Sequence, residues 1–344
     1  MIENLKSQIL KFKANQFLSG SLIMVLGFNL YNFGQAVYHF LVARMLGKAQ
    51  YGDLASIITI LGIVAVVQMS VGLTIVKFIA SDKNKAKSNF IKWVFIWSIW
   101  GAVILGVVAE LLSPFLINFL NIAQPLSVYL LGPILFFFFL ANANRSILQG
   151  LFKFDKYILS LLAESIFKIV LSVGLILAGL AVFGAMVAFL LAIFFSFLVT
   201  LGSIKKYLKG KKVQAPEIGP LFKYSQAVLI QGLALTSMYS ADLLLVKHFF
   251  EASEAGLYAS LAIMGRIVFF GTSPITNVMF PMVAKRFGSG QPFHKIFYLS
   301  LNLILTIAFF VTAVYIFLPQ LAISLLVGKQ YLDGAPILWW FGIL

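Results

Sequence analysis

Nine times in succession this chain runs through a stretch of about twenty or more mostly apolar residues, and a tenth run opens just before its last residue. The runs read as Ser19–Leu46, Leu54–Ala80, Phe90–Ile117, Ser127–Gly150, Tyr157–Gly179, Val182–Leu201, Phe222–Phe250, Gly256–Val283, Phe293–Val327 and Ala335 onward. About 20 apolar residues in a helix match the hydrocarbon core of a bilayer. The runs are too long and continuous for the alternating strands of a barrel, so helices that satisfy their own backbone are expected. Composition agrees. Hydrophobic residues make up 61% of the chain and charged residues 11%, against about 25% charged in soluble domains. The expected fold class is all-α, a polytopic membrane protein. Several runs exceed the bilayer core, which predicts tilt or protrusion. The tenth, "APILWWFGIL", covers about 15 Å at helical rise. That predicts a natural protein continuing past Leu344.

Charge orients the spans. With the N-terminus inside, nineteen of the 26 Lys and Arg fall on the inner side and four on the outer, and Lys77, Lys168 and Arg266 lie within spans. This asymmetry is the positive-inside pattern. It places the protein in the cell (cytoplasmic) membrane, multi-pass, with a cytoplasmic N-terminus. It also accounts for most of the net charge of +15 without nucleic acid. Ahead of the first span, Ile2, Leu5, Ile9 and Phe12 recur at helical spacing among Lys6, Lys11 and Lys13. Either a short helix on an anionic membrane face or a frayed basic tail fits. No cleavable signal peptide is apparent. With no cysteine, disulfides and thiolate metal sites are excluded.

The longest polar interruption is the basic, proline-bearing "SIKKYLKGKKVQAPEIGPLFK". It divides the chain into an N-terminal six-helix lobe (1–203), a cytoplasmic linker (204–221) and a C-terminal lobe (222–344) that is incomplete. Beyond it a pattern returns. "ARMLGKAQYGDLASIITI" and "VKHFFEASEAGLYASLAIM" share a basic residue closing a span, a short outer turn, a Tyr and Gly step and an Ala-Ser restart. Matching the tyrosines sets Tyr51 on Tyr258 and Arg44 on Lys247, with about four extra residues in the second turn. Six spans between copies give both the same orientation, so two six-helix lobes related by a parallel repeat are expected.

At these residues the chain resembles a known family. "ARMLGKAQYGDLASI", "VGLTIVKFIA" and "ADLLLVKHFFEASEAGLYASLAIM", with the proline of "NVMFPMVAK", are similar to the polysaccharide-export flippases of the multidrug/oligosaccharidyl-lipid/polysaccharide transporter superfamily. The resemblance implies twelve or fourteen spans in two six-helix lobes. It implies movement of an undecaprenyl-pyrophosphate-linked oligosaccharide from inner to outer leaflet by alternating access. The partners it implies are that lipid-linked cargo, membrane lipid, and the glycan polymerase or glycosyltransferases of the same pathway.

Polar groups within spans are costly and therefore informative. Asn29, Asn32, Gln35 and His39 recur along one face of the first span. They fit a wet stripe lining the cargo path, or interhelical hydrogen-bond glue. Glu164 and Lys168 lie four apart and can neutralise each other. Lys168, once released, could hold phosphate, and Glu164 could couple to an ion. Arg266, about ten residues into the eighth span, suits a pyrophosphate; pairing with Asp242 is the alternative. Arg145 is expected either at the inner interface as an anchor or greeting the pyrophosphate. Asp242 is the first candidate for ion coupling, against a helix-end pair with Lys247 or Arg266. Arg44 and Lys48 are expected to anchor the outer end of the first span.

Enzyme signatures are missing from the sequence. It has no phosphate-cradling Gly-x-x-x-x-Gly-Lys-Ser/Thr loop, and His39, His248 and His294 form no close ligand cluster. No cofactor and no metal are expected, and the outer loops are short. The function expected is lipid-linked oligosaccharide flipping. The alternatives are a multidrug or organic-cation antiporter of the same superfamily, which calls for an acidic cavity, and a membrane glycan polymerase or ligase.

Overall fold

The computed structural model describes residues 16–81, 87–209, 218–288 and 291–343, and among them every regular element is helical. The N-terminal stretch with Ile2, Leu5, Ile9 and Phe12, and residues 210–217 of the basic linker, lie outside the described residues. The helices are α1 Gln16–Leu46, α2 Lys48–Ser81, α3 Lys87–Phe119, the single turn α4 Leu126–Tyr129, α5 Leu131–Gly150, α6 Phe154–Leu175, α7 Ala181–Ile204, α8 Ile218–Phe249, α9 Ala252–Gly288, α10 His294–Phe317, α11 Pro319–Leu326 and α12 Leu338–Ile343. All nine expected spans coincide with a long helix, three of them trimmed by breaks at Leu130, after Leu175 and at Leu318. The span read from Phe293 to Val327 is interrupted at Leu318, where Pro319 starts α11 as its first residue. Proline lacks the amide that would continue the ladder but suits a first turn. The tenth run begins as a 3-10 segment, Lys329–Ile337, before α12.

Turns are as short as the chain permits. α1 and α2 are joined by Gly47 alone, at φ 77. α5 ends where Phe152 turns left-handed at φ 58. There Lys153 donates to the Leu148 carbonyl at 2.8 Å and Phe152 to that of Gln149 at 3.0 Å. This is the Schellman closure that normally uses glycine.

The lipid-facing surfaces are plain on α3. Trp97, Trp100, Ile104, Val107, Leu111 and Phe115 are all more than half exposed and recur every three or four residues. That is one continuous apolar stripe, the kind of surface a bilayer would cover. Leu159, Ile166 and Val170 make the same display on α6. Six stretches of the described residues are long and apolar enough to cross a membrane by length and hydropathy alone.

By packing, the chain divides into two compact units. The first comprises Met1–Tyr31 and Asp53–Phe249. Within it α6 packs along α7, and α5 lies against both α3 and α7. Its core includes Ile75, Ile79, Ile91, Val94, Ile147 and Ile204. The second comprises Asn32–Gly52 and Phe250–Leu344, with α10 against α9 and α12. These units do not follow the expected division at 204–221. α8 counts with the first unit, and the tip of the α1–α2 hairpin counts with the second.

Candidate functional site

In the first unit the polar residues gather around Arg145. α5 carries it, and it is 2% exposed. Its guanidinium donates to Glu164 Oε2 at 2.5 Å and Ser196 Oγ at 2.6 Å. It also reaches Ser160 Oγ at 3.0 Å, the Ser160 carbonyl at 3.2 Å and Asn142 Oδ1 at 3.1 Å. Serine is what lets α6 and α7 approach closely here while still supplying acceptors. Tyr31, from α1, hydrogen-bonds Glu164. Lys168, one turn on from Glu164, is buried. Its Nζ lies 5.0 Å from the centre of the Phe189 ring and feels the Glu164 carboxylate.

Two expectations change here. Glu164 acts on Lys168 as expected, but it is shared: Arg145, from the neighbouring helix, delivers the charge-assisted bond at hydrogen-bonding distance. And Arg145 is no interfacial anchor. It is enclosed among α5, α6 and α7, with its donors engaged. The cluster therefore holds two cations, Arg145 and Lys168, around the single carboxylate of Glu164.

A second charged pair of this unit departs from the sequence reading. Lys247 Nζ lies 2.7 Å from Asp53 Oδ1, with the residues 1% and 2% exposed. The other oxygen of Asp53 accepts from the Ala123 amide at 3.1 Å. The sequence suggests Lys247 as an outer-face residue able to pair with Asp242. The one signal for its true partner is Asp53 itself, an acid at the head of an apolar helix, where burial demands a cation. Asp242, on α8, is half-buried. His248 Nδ1 lies 2.6 Å from the Phe119 carbonyl at the end of α3.

In the second unit the C-terminal end of α1 is clasped. Arg44 donates to the carbonyls of Ser324 at 2.7 Å and Leu326 at 3.1 Å, and to that of Leu325. These are the exposed carbonyls of the last turn of α11, which favour a cation. Lys48 pairs with Asp333. Tyr331 and Gln330 both donate to the Ala43 carbonyl at 3.0 Å. So Arg44 and Lys48 do fix the end of the first span, with protein groups as their partners.

Here too α2 and α9 meet at two glycines. A β-carbon on Gly52 would stand 2.9 Å from the Gly256 nitrogen, and one on Gly256 would stand 1.7 Å from the Lys48 carbonyl oxygen. Both glycines are the fifth residue of their helix. In this register Ala55-Ser56 falls on Ala259-Ser260. Both serines bond the carbonyl three residues back, at 2.8 and 2.7 Å. This register differs from the one that matching Tyr51 to Tyr258 gives: it sets Arg44 on His248 and leaves no extra residues in the second turn.

The stripe on α1 faces away from the apolar surface. Leu26, Leu30 and Phe33 are 59%, 56% and 66% exposed, whereas Asn29, Asn32, Gln35 and His39 are all half-buried. Asn29 turns its amide back to the Val25 carbonyl at 2.7 Å. His39 Nδ1 meets the Tyr51 hydroxyl at 3.2 Å. Arg266, half-buried on α9, acts electrostatically on that same phenol. The second unit thus brings His39, Tyr51 and Arg266 into one neighbourhood.

This arrangement of helices is a known one. Among solved structures, an inward-facing multidrug-resistance MATE family transporter of the MOP superfamily matches with a TM-score of 0.68 at 15% identity, over 89% of this chain and 76% of that one. An outward-facing MATE transporter of the same superfamily matches at 0.63 and 16%, over 95% and 78%. A MATE protein in the straight conformation matches at 0.60 and 15%, over 95% and 82%. No curated protein sequence matches significantly. The molecule is a multi-pass membrane protein that shares its fold with these transporters. Residues 41–336 match the polysaccharide biosynthesis protein family. The chain belongs to that family.

Proposed function

We propose that this protein flips a polyprenyl-pyrophosphate-linked oligosaccharide, with undecaprenyl as the carrier, from the inner to the outer leaflet of the cytoplasmic membrane. The observation that carries the reading is the excess of cations held within the spans of a chain from the polysaccharide biosynthesis family. Arg145 and Lys168 surround one carboxylate in the first unit, and Arg266 lies beside a buried phenol in the second. A pyrophosphate is an anion that guanidinium and ammonium groups within spans suit.

In this reading Arg266 supplies the guanidinium for the pyrophosphate. Lys168 adds a point charge, and Asn29, Asn32, Gln35 and His39 hydrogen-bond the sugars. Arg145 holds Glu164 and through it sets the charge that Lys168 presents. Glu164 and Asp242 are the groups through which an ion gradient would act. The repeats 1–203 and 222–344, joined by 204–221, alternate their exposure while the polyprenyl tail stays in lipid. The glycan polymerase and glycosyltransferases of the pathway are the partners of this activity.

The test is leaflet translocation of a defined polyprenyl-pyrophosphate glycan in proteoliposomes, using wild type and Arg266→Ala. Translocation by the wild type and its loss in the variant support the proposal. Likeness of fold to multidrug transporters supports a second reading, export of organic cations. The same vesicles loaded with an organic cation separate the two.

A further inference from the structure

At the end of the first unit that the charge asymmetry assigns to the cytoplasm, two lysines from different elements converge on one ring. Lys153, in the turn between α5 and α6, places its Nζ 5.8 Å from the centre of the Tyr207 ring. Lys206, in the 3-10 segment Lys205–Lys209, places its Nζ 5.1 Å from the same centre. A tyrosine ring attracts a cation through its quadrupole but carries no net negative charge. It cannot neutralise the two ammonium groups that approach it. Asp155 is the acid nearest in sequence. It is exposed, and among the described residues no ion pair joins it to either lysine. Lys156 and Lys205, both exposed, add to the same patch.

The ring itself is firmly placed. Tyr207 packs on the core around Ile79, Ile91 and Ile204. Next to Lys153 stands Phe152, which is 52% exposed although it sits in the left-handed region at φ 58. Its ring meets that of Phe154 edge-on, the centroids 6.0 Å apart. A bulky aromatic held in that conformation with its ring outward is an apolar probe beside a cationic pair. That combination suits the boundary between acyl chains and head groups.

The geometry points to a binding site for the phosphate of an anionic phospholipid, seated between Lys153 and Lys206 against Tyr207, with Phe152 among the acyl chains. The site shares no residue with the Arg145 and Lys168 cluster and does not depend on what the protein transports. Two ammonium groups suit a phosphodiester as point charges. The lipid, rather than free phosphate, is the ligand because the lysines adjoin exposed aromatic surface and not an enclosed polar cavity.

The test is native mass spectrometry of the detergent-solubilised full chain, titrated with dioleoyl-phosphatidylglycerol or dioleoyl-phosphatidylcholine. The wild type should retain phosphatidylglycerol in preference. K153Q/K206Q should weaken that retention by about fivefold per lysine, the fold-change that ~1 kcal/mol per charge near an anionic surface gives. K295Q/K329Q removes the same charge elsewhere and should leave it unchanged. Millimolar inorganic phosphate should not displace the lipid; displacement would make this a free-phosphate site and overturn the assignment. Equal loss in both double variants, or no preference in the wild type, would also overturn it. If K153Q/K206Q does not yield monodisperse protein, K206Q alone, altering an exposed side chain, must show the fivefold loss.

Discussion

Gly52 and Gly256 occupy the same position of two helices and lie backbone to backbone. A β-carbon on Gly256 would stand 1.7 Å from the Lys48 carbonyl oxygen. No side chain can yield there, because the obstacle is main chain. Gly256→Ala is therefore expected to force α9 away from α2, at a cost of about 1–3 kcal/mol as in overpacked cores, and to lower the melting temperature of the purified protein clearly. Gly62→Ala, where nothing lies within 4 Å, should be neutral or slightly stabilising. Thermal unfolding followed by size-exclusion chromatography measures both.

Arg145 and Glu164 form a buried pair whose separation should be severe. Arg145→Ala leaves Glu164 without its hydrogen-bonded cation and with only the Lys168 charge nearby, a loss approaching the ~3–5 kcal/mol of a broken buried pair. Glu164→Gln leaves Arg145 and Lys168 facing each other and should also destabilise. The double change Arg145→Met with Glu164→Leu should recover most of the lost thermal stability, because it removes both charges and keeps the volume. A double variant as unstable as Arg145→Ala would show that the remaining partners of Arg145, not the pair, hold these helices.

Asp53 and Lys247 should behave alike. Asp53→Asn strands a lysine that is 1% exposed and should reduce folded yield. Adding Lys247→Met should restore it. Fluorescence-detected size-exclusion chromatography reads this directly; a wild-type yield from Asp53→Asn alone would contradict the pair's structural weight.

For Asp242→Asn the expected outcome is functional. The carboxylate is half-buried on α8, so the protein should fold and insert. Gradient-dependent translocation should fall at least tenfold while any gradient-independent component remains. Unchanged ion dependence would make Asp242 a structural residue.

Helices are legible in the sequence because the bilayer imposes one rule on every span. Length and hydropathy alone locate α1 through α10 to within a turn or so at most ends. The break at Leu318 escapes them because a proline that starts a helix and one that kinks it look the same in a hydropathy run. Pairings are the weak point. The influence of Glu164 on Lys168 is legible because the two lie four residues apart, whereas its hydrogen-bonded partner Arg145 stands on another helix. Lys247 and Asp53 are nearly 200 positions apart, and neither position reveals the other. The repeat is visible, but its register is not. Identity of a tyrosine outweighs a glycine whose importance comes only from the backbone it touches. The α1 stripe and Arg266 stand out in the sequence as polar groups within spans. Their half-burial, and the convergence of His39 and Arg266 on Tyr51, depend on tertiary packing.

The most direct measurement is the rate at which a polyprenyl-pyrophosphate glycan crosses between leaflets of proteoliposomes, compared for wild type, Arg266→Ala and Arg266→Lys. The account predicts rapid crossing with the wild type, at least a tenfold loss with Arg266→Ala at unchanged thermal stability, and partial activity with Arg266→Lys. Equal rates for all three proteins, or no crossing above protein-free vesicles with the wild type, would contradict it.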